Sequence, residues 1–248
     1  MIDTLSPLAL AYCAVVLVLS YALRGSTGFG GFAAMPLMAL VIPIKTLVPV
    51  WTLLTIASST TIIGRDRKQV SVADMMRVAP ACIVGIAIGL YFFKTLDARI
   101  LARSFGVLVI GYALYSLWAA TGPVARKLPA PRVVAAMSGV VGGIVGTMFG
   151  TMASLAFAVY LDAQDVVKER FRATLSAMLL VLAVVRGIGY FAVGEFEMES
   201  VVLFAISFPL MLLGIFIGDR IHANMSQLAF KRIVCGILLT SGIPLLIR

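Results

Sequence analysis

The chain has 248 residues, of which 61% are hydrophobic and 12% charged, against about 45–50% and about 25% in soluble domains. One soluble core cannot hide that much apolar surface, so a soluble enzyme, a large extramembrane domain and a disordered chain are excluded. The net charge of +9 points to basic cytoplasmic loops of a membrane protein rather than to nucleic acid, because no Lys/Arg-rich run carries interleaved aromatics.

Ten apolar segments follow in chain order, at roughly 5–23, 28–44, 46–64, 74–93, 104–121, 133–148, 149–162, 173–193, 200–218 and 229–247. Their apolar runs are continuous, as in "ATLSAMLLVLAVV", so they read as helices and not as the alternating strands of an outer-membrane barrel. The first run lacks the basic flank and cleavage site of a signal peptide and is expected to be retained. Two segments are short. As helices they would rise only about 24 Å over 28–43 and about 20 Å over 149–161, against about 30 Å of hydrocarbon. Both are expected to be half-helices or re-entrant segments. Cys13, Cys82 and Cys235 each lie within an apolar run, with no metal-ligand or disulfide spacing.

Loop charge sets an orientation. With the 65–69 loop "RDRKQ" in the cytoplasm, 14 of the 20 Lys+Arg lie inside, as the positive-inside rule requires. Both termini then fall outside, as does "GEFEMES" (194–200). The 94–103 loop, with three basic residues outside, is the exception.

The halves resemble each other. Thr27-x-Phe29-Gly30 matches Thr147-x-Phe149-Gly150 at an offset of 120, and Pro80, Gly85, Gly89 and Arg103 match Pro209, Gly214, Gly218 and Arg232 at an offset of 129. The expected organisation is two repeats of five segments, 1–122 and 123–248. Five is odd, so the second repeat enters the membrane from the opposite face. That is the inverted-repeat construction of many secondary transporters, whose substrate site lies at interrupted helices.

"RGSTGFGGF" (24–32) is the richest local signal. Gly28, Gly30 and Gly31 let backbone approach a ligand, with Phe29 between them. Ser26 and Thr27 can cap a helix start, and a free helix N-terminus favours an anion. Thr147, Phe149, Gly150 and Thr151 offer the same in the second half. Four other glycine pairs (Gly85/Gly89, Gly139/Gly143, Gly142/Gly146 and Gly214/Gly218) have the spacing of close helix packing, which is their simpler reading. Arg186 is the one basic residue well inside a span, and Arg24 ends the first span beside the glycines. An intramembrane charge costs about 2.5–3.5 kcal/mol on insertion scales and marks function by default. Snorkelling or a structural partner is the alternative for Arg186, and an interfacial positive-inside residue the alternative for Arg24. No Asp or Glu stands clearly mid-span; Asp162 and Asp165 lie at a segment end. Ser58, Ser59, Thr60, Thr61, Thr174 and Ser176 bring hydroxyls into spans, for an oxyanion or for neighbouring helices.

Enzymatic chemistry has no support. The one histidine, His222, falls in a loop, and neither an HExxH nor a Walker A pattern occurs. No cofactor and no metal site are expected.

"GSTGFGGFAAMPLMAL", "GVVGGIVGTMFGTMASLAFAVYL" and "VKERFRATLSAMLL" resemble the TauE/SafE family of sulfite and organosulfur-anion exporters, over nearly the whole chain. The resemblance implies an all-α, polytopic permease of the bacterial inner membrane that exports small anions such as sulfite, sulfoacetate or carboxylates. It raises Gly28–Gly31 and Phe149–Thr151 as substrate-region candidates. The expected partners are a small sulfur or organic oxyanion and the bilayer, with no nucleic acid; self-association stays open. An anion channel and a membrane protein without transport are the rival readings.

Overall fold

The computed structural model describes residues 6–27, 34–119, 131–162, 164, 167–220 and 227–247. The chain is all helical there. Its elements are α1 (Pro7–Thr27), α2 (Ala34–Ala39), α3 (Ile44–Asp66), a 3-10 turn (Arg67–Gln69), α4 (Val72–Thr95) and α5 (Ala98–Ala119). They continue with α6 (Pro131–Phe149), α7 (Ala153–Asp162), α8 (Lys168–Ala192), α9 (Met198–Arg220) and α10 (Gln227–Ile247). The expected all-α polytopic fold is thus found. Among the described residues seven helices are long and apolar enough to cross a membrane, and α7 is a shorter apolar helix. At about 1.5 Å per residue, α2 rises only about 9 Å and α7 about 15 Å, so neither crosses the membrane alone.

Local chemistry sets several boundaries. Pro7 and Pro131 occupy first helical positions, where a missing N–H costs nothing. Ser6 Oγ accepts the Ala9 N–H at 3.2 Å and caps α1. Between α6 and α7 the chain turns through Gly150 at φ 71° and Met152 at φ 65°. Glycine tolerates that left-handed backbone freely, whereas Met152 holds it against steric cost because it is buried in the core.

Small residues bring the long helices together, with glycines at the close approaches. A Cβ on Gly85 would collide with the Val140 carbonyl, and one on Gly89 would lie 2.8 Å from Thr147 Cβ, so α4 runs parallel to α6. A Cβ on Gly214 would lie 2.6 Å from the Val18 carbonyl, and one on Gly218 would overlap Ala22, so α9 runs parallel to α1. The packing reading of the four glycine pairs holds: Gly139 and Gly143 seat α4, while Gly142 and Gly146 seat Phe157 and Ala153 of α7. α3 packs antiparallel on α8, joining Asp66 to Arg172 at one end and Thr52 to Gly187 at the other. α5 packs antiparallel on α10, and α3·α9 and α4·α8 complete the bundle. The matched prolines, Pro80 in α4 and Pro209 in α9, lie inside their helices.

Candidate functional site

The interior of the bundle is not uniformly apolar. Arg186 on α8 is 1% exposed and Arg24 on α1 is 5% exposed. Arg24 Nη2 donates to Ser59 Oγ of α3 at 2.8 Å, and the guanidinium stands 6.0 Å from the Tyr21 ring centroid. Arg186 Nη1 donates to the Gly146 carbonyl, and four residues on, Tyr190 Oη donates to the Thr147 carbonyl. These two carbonyls belong to the last turn of α6, where the break at Gly150 removes their usual helical donors. α8 therefore closes off the end of α6.

Among the described residues, several other donors of these arginines find no partner. Arg24 Nε, Arg186 Nε and Arg186 Nη2 are buried and unbonded, as are Tyr21 Oη, Thr147 Oγ1 and Ser176 Oγ. Among the described residues neither arginine pairs with a carboxylate. Arg186 lies within range of the charge on Arg24, with Tyr21, Tyr190 and Cys82 as its other neighbours. Two like charges in a low-dielectric interior, with donors unmade, cost several kcal/mol each. An anion placed among them satisfies the donors and neutralises the charge.

The sequence-derived residues divide into three sets. Arg24, Thr147 and Arg186 come together around this buried polar region, and Gly150 and Thr151 form the adjacent turn. Phe149 is turned elsewhere: its ring stacks on Phe105 of α5 with centroids 5.0 Å apart. Gly28, Phe29, Gly30 and Gly31 lie outside the described residues, as do the side chains of Ser26 and Thr27. The backbone places Ser26 and Thr27 in the last turn of α1, and Thr147 and Phe149 in the last turn of α6. Thr147 and Phe149 thus belong to the end of the preceding helix. Asp165 and His222 also lie outside the described residues.

The hydroxyls separate likewise. Ser59 receives Arg24, whereas Thr60 and Thr61 bond back to carbonyls of their own helix. Thr174 Oγ1 accepts the Ser71 N–H at 3.0 Å and ties α8 to the start of α4. Tyr21 and Tyr190 escaped the sequence reading because each looks ordinary in an apolar span.

A second group of charges, at the end of the bundle where α3 ends and α8 begins, also escaped. Arg172 donates from Nε and Nη2 to Asp66 Oδ2, at 3.0 and 2.5 Å, and from Nη1 to the Gly25 carbonyl at 2.8 Å. Asp74, 5% exposed, accepts from Tyr160 Oη at 2.9 Å and from Arg77 Nη1 at 3.3 Å, clamping α7 to α4. Loop composition hides these residues among generic basic ends. The spacing of Arg172 and Arg186, close to four whole turns on one helix face, was the available signal.

Membrane-length helices around buried guanidiniums that meet no carboxylate among the described residues define a polytopic membrane protein. The chain belongs to the family described as Sulfite exporter TauE/SafE, which it matches over residues 12–245. It is accordingly a multi-pass membrane transporter of the sulfite-exporter type and not an enzyme. No curated protein and no solved structure matches it.

Proposed function

We propose that this transporter exports small sulfur-containing or carboxylate anions, such as sulfite or sulfoacetate, by alternating access across a bacterial inner membrane. The observation that carries this reading is the pair of buried arginines, Arg24 and Arg186, with donors unmade and no carboxylate partner among the described residues. Thr147 Oγ1 and Tyr21 Oη add neutral donors beside them. In this reading the anion binds Arg24, Arg186 and Thr147, with the Gly150–Thr151 turn against it; Ser26, Thr27 and Gly28–Gly31 approach from the first half. A negative-inside potential drives each exported charge with about 2.3 kcal/mol per 100 mV, so export needs no obligatory proton carboxylate.

The two halves, 1–122 and 123–248, act as inverted repeats. Mapping α1–α5 onto α6–α10 turns the α1·α9 packing into α6·α4 and the α3·α9 packing into α8·α4, and leaves α3·α8 and α5·α10 as self-related pairs. A pseudo-two-fold axis of this kind is the geometry that lets one repeat rock against the other. The basic loops face the cytoplasm and both termini face outward.

The test is flux in liposomes holding the purified protein, over a panel including sulfite, sulfoacetate and simple carboxylates. Saturable flux with counterflow is expected. Large single-channel currents would replace the carrier with a channel, and absence of flux for every anion would overturn the reading.

A further inference from the structure

We propose that Arg172 is a third anion-handling residue of the transport path: it holds Asp66 while its end of the bundle is closed, and exchanges Asp66 for the transported anion as that end opens. The inference rests on the anion-transport reading above and adds a residue and a step to it.

Three arginines are staggered along one line of the interior. Arg186 and Arg172 share a face of α8, about 21 Å apart at 1.5 Å per residue. Arg24 reaches between them from α1, because its partner Ser59 lies two turns before Asp66 on α3. Exposure grades in the same order, from 1% at Arg186 and 5% at Arg24 to 26% for the side chain of Arg172. Ser176 adds an unbonded, 1% exposed hydroxyl one turn from Arg172 on α8, continuing the polar line towards Arg24.

The three differ in one respect. Among the described residues Arg186 and Arg24 have no carboxylate partner, whereas Arg172 is neutralised by Asp66, whose side chain is 23% exposed. An anion entering from this end towards Arg24 therefore meets a carboxylate in its way. It can pass only by taking the place of Asp66 on the same guanidinium. The exchange conserves charge: one oxyanion replaces another on Arg172, and Asp66 moves into water at a boundary it already touches. A part-buried pair is suited to this, since a fully buried one would leave an uncompensated charge.

The exchange is also wired to the site. Arg172 Nη1 holds the carbonyl of Gly25, the neighbour of Arg24, so the guanidinium that exchanges Asp66 for the anion also holds the end of α1 beside the substrate. The nearby Asp74–Tyr160 contact differs: Asp74 is 5% exposed and held by Tyr160 and Arg77, and it serves as a fixed clamp on α7.

The experiment reads opening directly, by hydrogen exchange of the amides at 62–70 and 167–176 in proteoliposomes holding the full chain, with sulfite and sulfoacetate each used as probe. In the unmodified protein a transported anion is expected to accelerate exchange in both stretches several-fold. Asp66→Asn is expected to exchange fast with or without anion, because the neutral amide holds Arg172 weakly. Arg172→Gln should lower the export rate about tenfold or more, the loss of a charge-assisted hydrogen bond, with Arg172→Lys recovering part of it. Equilibrium anion binding to Arg172→Gln should stay within about threefold, since Arg24 and Arg186 remain. Exchange that ignores the anion in a protein that transports it would overturn the proposal while leaving the anion-transport reading intact. So would Asp66→Asn matching the unmodified protein, a result that stands even where Arg172→Gln fails to fold. A protein that neither binds nor moves either probe would overturn the underlying reading instead.

Discussion

Arg186 combines two jobs that are separable by substitution. One nitrogen completes the broken end of α6 by donating to Gly146, and the others are free for a ligand. Arg186→Gln keeps an amide donor for the carbonyl and removes the charge. A charge-assisted hydrogen bond is worth about 1.5–3 kcal/mol, so the KM for anion export should rise by about 10- to 100-fold. The thermal transition in detergent should stay level or rise, because an unpaired buried charge has been relieved. Arg186→Lys should fall between, since an ammonium cannot reach the carbonyl and the anion together with a planar fork. An unchanged KM in Arg186→Gln would remove Arg186 from the site. The position of this arginine was readable from sequence as the lone basic residue in a span. Its hold on α6 was not, because Gly146 is 40 residues away in the chain and nothing local marks the carbonyl.

Among the elements, the paired helices carry the stability. α1 and α9 approach so closely at Gly218 that a methyl group would overlap Ala22. Gly218→Ala must push the pair apart, and an overpacked contact of this kind costs about 1–3 kcal/mol. Gly64→Ala and Gly111→Ala are the controls. Nothing lies within 4 Å of either added Cβ, and alanine in a helix gains about 1 kcal/mol over glycine. Unfolding of the three variants in one detergent should therefore show loss for Gly218→Ala and equal or higher stability for the other two. Small-residue spacing in the sequence was enough to foresee packing at Gly85, Gly89, Gly214 and Gly218. It was not enough to foresee that Thr147-x-Phe149-Gly150 ends a helix. Whether a Thr-Gly segment opens or closes a helix depends on which carbonyls find new donors, and here Arg186 and Tyr190 supply them from α8.

The whole molecule has a sidedness that follows from its charges. Arg65, Arg67 and Lys68 gather where α3 ends, while Glu195 and Glu197 lie between α8 and α9, with Glu199 in the first turn of α9, at the other end. Cysteine introduced at Lys68 should react with an impermeant thiol reagent from the cytoplasmic face, and cysteine at Glu197 from the outer face. The reverse pattern would invert the orientation and with it the direction in which the membrane potential drives an anion. Arg172 and Asp66 belong to the basic end, so in the proposed orientation the exchange is a cytoplasmic step.

Composition and continuous apolar runs were enough to establish an all-helical membrane protein, its number of segments and the two short ones, because transfer into lipid depends on summed hydrophobicity and not on partners. Lys/Arg distribution was enough to choose an orientation for the same reason. Which charges are buried together is a different kind of quantity. Arg24, Arg172 and Arg186 sit on two helices far apart in the chain, and one of them looked like an ordinary loop residue. Only the packing of α1, α3 and α8 aligns them, leaves two without a carboxylate and gives the third Asp66 as a partner, since a guanidinium's surroundings are set by helices that meet in space.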